Sequence, residues 1–377
     1  MRSPLTVTAV STRHDWNQFH ALPGRIQGGD PNWVQPLLME CRALWSARNP
    51  WFGHARAQAF IARRGTQAVG RISAQVDELQ PPENGQRIGY FGQFECLNDC
   101  AAAEALFAAA CAWLEERACK HLRGPYDLGI NQACGLLIEG RERPPMVMMG
   151  HAPEYYADLL SAQGLVKEMD LLAYLLPPDF EAPRAMRRLL DRTAQRIHFR
   201  PMDFGNFNRE ISSLRDIFND AWALNWGFVP ITEREFTHMG REMRKILKPD
   251  YTCIAELDGQ AAGFIVALPN LNELIADLNG RLLPTGWMRL LWRLGRGRAT
   301  SARVPLMGVR RVHQRGPIGA AISFGVIDRV RRALHGDGIG RVEVSWILET
   351  NQGMNAMIEA MGGDLYKRYR LYGRALA

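Results

Sequence analysis

The chain contains 377 residues, which is enough for two domains of roughly 150–200 residues each. Its residues are 47% hydrophobic, 9% aromatic and 23% charged, values that are typical of globular proteins and exclude a disordered or collagen-like chain. The net charge of +7 is concentrated, because residues 281–332 hold twelve arginines and one acid, for a local charge of +11. This excess predicts an anionic partner: cofactor phosphates, anionic lipid or nucleic acid.

Several targeting signals and covalent frameworks are missing from the sequence. The longest apolar runs are far shorter than the 18 residues of a spanning helix, and the first twenty residues contain no apolar core of a secretory signal. The seven cysteines form no CxxC pair and have no neighbouring histidine at ligand spacing. We therefore expect reduced thiols, no metal site and a cytoplasmic location.

Both halves of the chain predict elements in a similar order. The first half predicts a strand, helical segments, a hairpin, a strand, a long alanine-rich helix, a strand and a helix, over residues 5–10, 31–47, 57–77, 87–97, 100–119, 121–129 and 153–164. The second predicts a strand, two helices, a hairpin, a strand, a helix, a strand and a helix, over 197–204, 208–228, 231–247, 251–268, 304–312, 317–334, 340–350 and 351–362.

This order predicts an α/β fold with a mixed sheet and helices on both of its faces, present twice in the chain. The proline-rich stretch 175–184 is the natural linker, which gives domains 1–178 and 179–377. The segment 364–373 resembles a further strand and carries three tyrosines, Tyr366, Tyr369 and Tyr372.

The stretch from Gln314 to Gly319 lies between a predicted strand and a predicted helix. It resembles the Gln/Arg-x-x-Gly-x-Gly/Ala signature of the GNAT (Gcn5-related N-acetyltransferase) superfamily, although Pro317 replaces the first glycine of the signature. Backbone N–H groups and the dipole of a helix start can bind the pyrophosphate of coenzyme A. The resemblance implies two tandem GNAT-like domains and a coenzyme A site at Leu306, Met307, Gly308, Val309, Gln314, Arg315, Gly316, Ile318, Gly319 and Ala320.

The resemblance also implies where catalytic groups lie. Asn351 matches the asparagine at the end of the fifth GNAT strand, whereas Ile358 occupies the position of the family's usual tyrosine acid. Tyr366 on the following strand is the candidate replacement, although cross-strand packing would explain the three tyrosines equally. Glu349 and Glu343 are candidate bases, and the alternating pattern of the strand favours a solvent-facing position for Glu343.

A more specific resemblance covers over half of the chain, including RGPYDLGINQACGLLIEG, PPMVMMGHAPEYYADLL and VEVSWILETNQGMNAMIEAMGGDLYKRYRLY. These segments resemble a bacterial GNAT-like group related to the bacterial ceramide synthases. The relation implies transfer of a long acyl chain from acyl-CoA to a lipid amine such as sphinganine. A GNAT acetylating a small amine, peptide or protein, and an inactive lipid- or acyl-CoA-binding module, remain the alternatives.

The first half has no match to the coenzyme A signature after its strand 87–97. It has instead many polar residues in the loop-rich segment 124–156, which we expect to bind the acceptor. The candidate acceptor-binding residues are Asn131, Glu139, Tyr155, Tyr156 and, from the second half, Trp346. His151 is a candidate catalytic base, since its ordinary pKa lies near neutrality, or a capping or core histidine.

The predicted insertion 270–300 carries a short amphipathic helix. At 100° per residue, Trp287, Leu290, Leu291 and Leu294 share one face, and Arg289, Arg293 and Arg296 group on another. This pattern is typical of an interfacial helix at the inner membrane surface, and an ordinary core-facing helix is the alternative. The candidate membrane residues are Trp287, Arg289, Leu291, Trp292, Arg293 and Arg296. No helix-turn-helix or zinc motif is present, so we expect no nucleic-acid partner.

Overall fold

A computed structural model describes residues 3–297 and 299–377. The chain divides into two compact units. Unit 1 contains residues up to Leu172 together with 276–283 and 367–377, and unit 2 contains 173–275 and 284–366. The first division between the two units, after Leu172, lies near the predicted domain boundary at residue 178. Unit 1 also contains two segments of the predicted C-terminal domain, 276–283 and 367–377.

The first five strands of unit 1 are neighbours in the sheet in the order in which they follow one another along the chain. These elements are β1 (Leu5–Ala9), α1 (Arg13–Gln27), α2 (Leu38–Leu44), β2 (Ala55–Arg64), β3 (Gln67–Asp77), β4 (Arg87–Cys96), α3 (Cys100–Glu115) and β5 (Cys119–Gly124). The strands β1 to β4 are antiparallel neighbours, and β5 runs parallel to β4. Helix α3 makes the crossover that a parallel pair requires, and its buried alanine face packs on the sheet.

Unit 1 is completed by β6 (Leu136–Glu139), α4 (Tyr156–Ser161) and the first part of β7 (Val166–Leu176). The C-terminal strand β13 (Asp364–Ala375) adds its last residues to this sheet, where Tyr372 to Ala375 pair antiparallel with β5. The predicted strand at 364–373 is therefore present.

The parallel pair of unit 1 is short, and the chain itself occupies the space beside it. Pairing of β4 with β5 ends at Tyr90 and Arg123, and the two strands then separate. The backbone N–H of Tyr126 donates to Phe91 O at 2.9 Å, and Gln75 Nε2 donates to Tyr126 O at 3.0 Å. A Cβ on Gly92 would lie 1.5 Å from Tyr126 O, so only glycine admits this close backbone contact.

Unit 2 repeats the arrangement of unit 1. Its elements are α5 (Arg184–Thr193), β8 (Ile197–Arg200), α6 (Phe207–Trp222), α7 (Glu233–Arg244), β9 (Thr252–Leu257), β10 (Gln260–Pro269), α8 (Leu271–Ile275), α9 (Gly286–Gly295), β11 (Ser301–Val309), α10 (Arg311–Gln314), α11 (Pro317–Gly336), β12 (Arg341–Leu348) and α12 (Gln352–Ala360). Strands β8 to β11 are successive antiparallel neighbours, and β12 runs parallel to β11. The mixed α/β fold with a duplicated order of elements is confirmed.

Several elements differ from the sequence prediction, among them β6, which lies in the segment predicted as loop-rich, and the two described next. Strand β7 was not predicted, because its apolar second part, LLAYLL, is equally compatible with a buried helix. Helix α5 begins at Arg184, directly after the proline-rich segment that was predicted as a linker. Helix α5 packs on α11. The irregular segment between β7 and α5, residues 177–183, is therefore shorter than the predicted linker 175–184.

None of the helices in the described residues is long and apolar enough to cross a membrane.

Candidate active site

The two parallel strands of unit 2 separate halfway along their length. Pairing of β11 with β12 runs from Ser301 and Arg341 to Val304 and Val344. Beyond Val304, β11 continues beside β10 as far as Val309, which pairs with Gly263. The segment 305–309 therefore does not pair with β12, and the backbone N–H and C=O groups on that edge can bind a ligand or side chains. This segment contains four of the predicted coenzyme A-binding residues.

One side chain already uses this edge. The indole Nε1 of Trp222, the last residue of α6, donates to the carbonyl oxygen of Met307 at 3.0 Å. Pro305 contributes no N–H. Leu306 and Met307 are partly exposed, whereas Gly308 and Val309 are buried.

The start of α11 has the geometry of an anion-binding helix terminus. Gly316 precedes the helix with φ +90° and Pro317 is its first residue. The N–H groups of Ile318 and Gly319 belong to the first turn, where helical geometry provides no internal acceptor. Ala320 N donates to Gly316 O at 3.3 Å, so the helical ladder begins there. The missing N–H of Pro317 removes one donor but not the helix start.

Gly319 is fixed by close packing. A Cβ at this position would lie 2.0 Å from the carbonyl oxygen of His313, in the short helix α10. The glycine thus allows α10 to cover the first turn of α11. Gln314 holds the same loop, because its Nε2 donates to Val309 O at 2.9 Å and to Ala221 O at 3.1 Å. Its predicted role at the cofactor is therefore indirect: the amide supports the loop.

A cleft of 420 Å³ lies beside this loop. It is lined by two exposed apolar side chains, two arginines and two further polar residues: Leu224, Val312, Arg311, Arg315, Asp220 and Gln314. Asp220 accepts from Arg311 Nε at 3.2 Å, which leaves Arg315 as the lining cation that a phosphate would meet. A donor-rich helix start beside a cationic, partly apolar cleft fits the phosphates and ring of a coenzyme A thioester.

A buried ionic network lies where the two strands begin to separate. Arg303 and Glu343 face each other across the ladder, with side chains 1% and 0% exposed and Arg303 Nε 3.3 Å from Glu343 Oε1. Ser345 Oγ donates to Glu343 Oε1 at 2.5 Å and accepts from Arg303 Nε at 2.9 Å. The solvent-facing position expected for Glu343 is wrong, because period-two alternation does not identify which face of a strand is buried.

Tyr366 joins this network from β13. Its hydroxyl donates to Glu343 Oε2, while the ring remains partly exposed. Arg303 also lies over the ring of Trp346, 4.7 Å from its centroid. The structure therefore brings together the predicted Tyr366 and Trp346 with two residues that sequence reasoning did not combine, Arg303 and Glu343. The available signal is that Arg303 is the one charged residue of strand β11, although the sequence analysis counts it only within the arginine excess of residues 281–332.

Two other predicted residues lie after β12. Asn351 caps α12, since its Oδ1 accepts from Met354 N at 3.2 Å. Glu349 lies in the turn that precedes this cap and is partly exposed. Ile358, at the position of the family's tyrosine, is 2% exposed and belongs to the core.

The acceptor-site candidates of unit 1 occupy different environments. Tyr156 is buried, and its hydroxyl donates to Glu95 Oε2 at 2.7 Å. Tyr155 donates to Cys96 O at 2.8 Å on the same strand. Glu139 forms an exposed ion pair with Arg368, and Asn131 is partly exposed in the turn before β6. The tyrosines are thus held together at β4, whereas Glu139 lies at the surface.

His151 is enclosed rather than open to solvent. Its side chain is 1% exposed, and its Nε2 lies 2.8 Å from Asp30 Oδ2. Burial lowers the pKa of this imidazole, while the partner Asp30 opposes the shift. The described contacts of this histidine are those of a structural residue.

Helix α9 presents a different face from the one that helical periodicity predicted. Trp287, Met288, Leu291 and Trp292 are 45–59% exposed, whereas Leu290 and Leu294 are partly buried. Arg293 points inward and donates to Leu274 O at 2.5 Å. The predicted grouping of Leu290 and Leu294 with the exposed face is wrong.

The arginine excess of residues 281–332 is partly compensated inside unit 2. Arg303 is paired with Glu343, Arg311 with Asp220, and Arg331 with Asp328. Along α9 the exposed cations are Arg289 and Arg296, and Arg296 stacks 4.6 Å from the Trp292 ring centroid. Within the described residues, no group of three histidine, cysteine, aspartate or glutamate side chains could hold a metal ion.

Comparison with curated proteins identifies the family. The chain is 42% identical over 375 residues to the bacterial ceramide synthase of Caulobacter vibrioides, covering 99% of this chain and 98% of that protein. It is 43% identical to protein YghO of Escherichia coli, covering 98% and 95%. The chain belongs to the bacterial ceramide synthase family. It is therefore an acyl-CoA N-acyltransferase. No family model matches the sequence.

Solved structures confirm the tandem GNAT fold. A tandem GNAT protein from the clavulanic acid biosynthesis pathway aligns with TM-score 0.57 and 12% identity, over 99% of both chains. A GCN5-related N-acetyltransferase from Sphaerobacter thermophilus aligns with TM-score 0.54 and 14% identity, over 99% of this chain and 97% of that one. These likenesses establish the fold, and the substrates require separate evidence.

The packing at Gly319 predicts a specific loss of coenzyme A binding. Gly319→Ala places a methyl group against the His313 carbonyl and must displace α10 from the helix start. We expect coenzyme A affinity, measured by isothermal titration calorimetry, to fall at least about 10-fold, equivalent to about 1.4 kcal/mol. The control is Gly336→Ala, at the other end of α11, where a Cβ meets nothing within 4 Å. Equal affinities in the two variants would contradict a cofactor site at this helix start.

Proposed function

We propose that this protein joins a long-chain acyl group from acyl-CoA to the primary amine of a sphingoid base such as sphinganine, giving a ceramide-type amide. The full-length similarity to a protein named bacterial ceramide synthase carries this proposal. The helix start at Ile318 and Gly319, the free edge of β11 and the cleft at Arg315 support coenzyme A as the carrier of the acyl group.

The thioester carbonyl needs hydrogen-bond donors when the amine attacks and negative charge develops on its oxygen. We assign this task to the backbone of Leu306–Val309, on the strand edge that β12 leaves. The phosphates bind at α11, which follows this strand after the short helix α10. The attack forms the new C–N bond and gives a tetrahedral intermediate. The C–S bond of this intermediate then breaks, which releases the thiolate of coenzyme A and leaves the amide.

Tyr366 is our candidate for the proton transfer that completes the reaction. Its hydroxyl proton passes to the departing sulfur, and the proton that the attacking nitrogen must lose restores the hydroxyl, so that one proton moves from nitrogen to sulfur overall. Glu343 accepts from Tyr366 and so holds the phenol in place. To protonate the sulfur, the hydroxyl proton must turn from Glu343 toward the thiolate. Arg303 and Ser345 hold Glu343 in turn. Glu349 and His151 remain weaker candidates for the base, and Asn351 is more simply explained as a helix cap.

The first experiment compares donors and acceptors directly. Purified protein is incubated with acetyl-CoA or palmitoyl-CoA, each with and without sphinganine in detergent, while thiol release is followed and products are weighed by mass spectrometry. We expect thiol release and an amide only with palmitoyl-CoA plus sphinganine. Release with acetyl-CoA alone would favour the small-amine acetyltransferase. No release with either donor would contradict the catalytic proposal and favour a binding module.

The proposed acid predicts a kinetic effect without a binding effect. Tyr366→Phe removes the hydroxyl that serves as the proton donor, so we expect kcat to fall roughly 10²- to 10⁴-fold with little change in the KM for acyl-CoA. The matched control is Tyr369→Phe, whose hydroxyl donates to the backbone of Gly150 in unit 1. An unchanged kcat in Tyr366→Phe would exclude this tyrosine as the acid.

We also propose that α9 binds to an anionic inner-membrane surface, where the long-chain substrates reside. Four large apolar side chains are exposed on a ten-residue helix that also carries Arg289 and is followed directly by Arg296. A helix with tryptophan and leucine on one side and arginine beside them has the pattern of an interfacial helix. Arginines near an anionic leaflet each contribute on the order of 1 kcal/mol. The membrane would hold the protein peripherally on the cytoplasmic side.

A vesicle experiment tests this surface. Leu291→Glu together with Trp292→Glu adds two negative charges to the apolar face, and we expect at least about a 10-fold loss of cosedimentation with phosphatidylglycerol-containing vesicles. Val166→Glu, an exposed apolar residue of unit 1, is the control and should sediment like the wild type. The proposal fails if the double variant binds these vesicles as the wild type does, or if the wild type does not prefer anionic over zwitterionic vesicles.

A further inference from the structure

Helix α5 of unit 2 separates its charged and apolar residues onto opposite faces. Its sequence is RAMRRLLDRT, and its four arginines span an arc of about 140° at 100° per residue. The helix packs on α11, and the arc opposite the arginines is partly or fully buried: Met186, Leu189, Leu190 and Thr193. The arginines form an exposed face, the arginine face of α5, made of Arg184, Arg187, Arg188 and Arg192.

The charge of the arginine face is not balanced by neighbouring groups. Four arginines less the one aspartate of the helix, Asp191, give α5 a net charge of +3. None of the four arginines has an ion-pair or hydrogen-bond partner among the residues that the structure describes. Cations are favoured at the end of a helix and not at its start, so the three arginines in the first two turns do not serve the stability of α5 itself.

The start of α5 is fixed to the C-terminal half of α11. Arg331 Nη1 donates to Pro178 O at 3.1 Å, and the guanidinium of Arg331 lies 4.5 Å from the ring centroid of Phe180. Two acids, Asp179 and Glu181, lie in this same segment before the helix and not on the helix. The arginine face therefore begins beside the end of α11.

Helix α9 lies near the same end of unit 2. Arg293 of α9 donates to Leu274 O in α8, which follows β10. The connection from α9 to β11 contains Thr300, whose carbonyl oxygen accepts from Gly340 N at 2.9 Å, shortly after the end of α11. The apolar face of α9 and the start of the arginine face thus belong to the end of unit 2 at which α11 ends and β11 and β12 begin.

The composition of the arginine face indicates which anionic partner fits it. Besides the arginines, the exposed residues of α5 are Ala185 and Asp191, so the face presents no large apolar side chain. Interfaces with folded proteins ordinarily have an apolar core inside a polar rim, which this face lacks. A membrane with anionic headgroups needs only charge to attract such a face, and guanidinium groups bind phosphate oxygens well.

We propose that the arginine face of α5 binds the phosphate headgroups of an anionic membrane, as an electrostatic contact separate from the apolar contact of α9. Helix α9 inserts large side chains, whereas α5 stays at the level of the headgroups and acts through charge. This inference rests on the proposed membrane binding of α9 for the choice of a lipid surface among anionic partners. The four arginines lie outside the arginine-rich stretch 281–332, several of whose members are paired inside unit 2.

Vesicle cosedimentation with a matched change of charge tests this face. One variant combines Arg184→Gln, Arg187→Gln and Arg188→Gln, the three arginines nearest the end of unit 2 shared with α9. The control combines Arg209→Gln, Arg234→Gln and Arg241→Gln, three exposed arginines of α6 and α7 in the same unit. At about 0.1 M salt, we expect the α5 variant to lose at least about 10-fold in affinity for phosphatidylglycerol-containing vesicles, while the control binds like the wild type. Equal midpoints of thermal unfolding show that both variants are folded.

The salt dependence of binding is a second test, and it includes the unmodified protein. Raising the ionic strength from about 0.1 M to about 1 M screens exposed charges, so we expect the wild type to lose affinity and the α5 variant to change little. The variant with Leu291→Glu and Trp292→Glu should be weaker than the wild type at high salt as well, where apolar insertion remains.

Two results would overturn the proposal: an α5 variant that binds the vesicles like the wild type, or wild-type binding that does not respond to salt. A loss that the α5 variant shows with a DNA duplex and not with vesicles would also overturn it and indicate nucleic acid as the partner. Failure of the α9 proposal is distinguishable, because the α9 variant would then bind like the wild type while the α5 variant still loses affinity.

Discussion

In both units, a parallel strand pair stops before either strand ends, and the rest of the site depends on this interruption. A strand that continues without its neighbour exposes backbone N–H and C=O groups, which need partners when they are removed from water. In unit 1 the chain supplies them, because Tyr126 lies against Phe91 and Gly92. In unit 2 the corresponding segment, 305–309, meets a tryptophan side chain at Met307. The edge is thus covered by backbone in unit 1, whereas in unit 2 it meets a side chain, and Leu306 and Met307 stay partly exposed.

This difference gives a physical reason why a duplicated fold would carry one coenzyme A site. The unit 1 space is closed by a backbone-to-backbone contact that depends on Gly92, so a thioester could enter only if the segment after Pro125 moved. The turn before α3 begins with Asp99, whose carboxylate caps the helix and would repel a phosphate at that helix start. In unit 2 the helix start has no side-chain cap that carries a negative charge.

The sequence predicted the elements that local rules determine. The hairpin of β2 and β3 follows from alternating apolar residues around Gly65, and the start of α11 follows from a proline at its first position. Strand β7 and the burial of Glu343 could not be predicted in this way, because both depend on which surfaces other elements cover. Arg303 and Glu343 belong to two separate segments, and only the folded chain places them together.

The buried arginine–carboxylate pair of unit 2 clarifies how Tyr366 is held. Arg303 and Glu343 have opposite charges and share Ser345, so this network is neutral and held by protein groups. Breaking such a pair by removing one partner leaves a buried charge, and the network is therefore suited to holding Tyr366 in place.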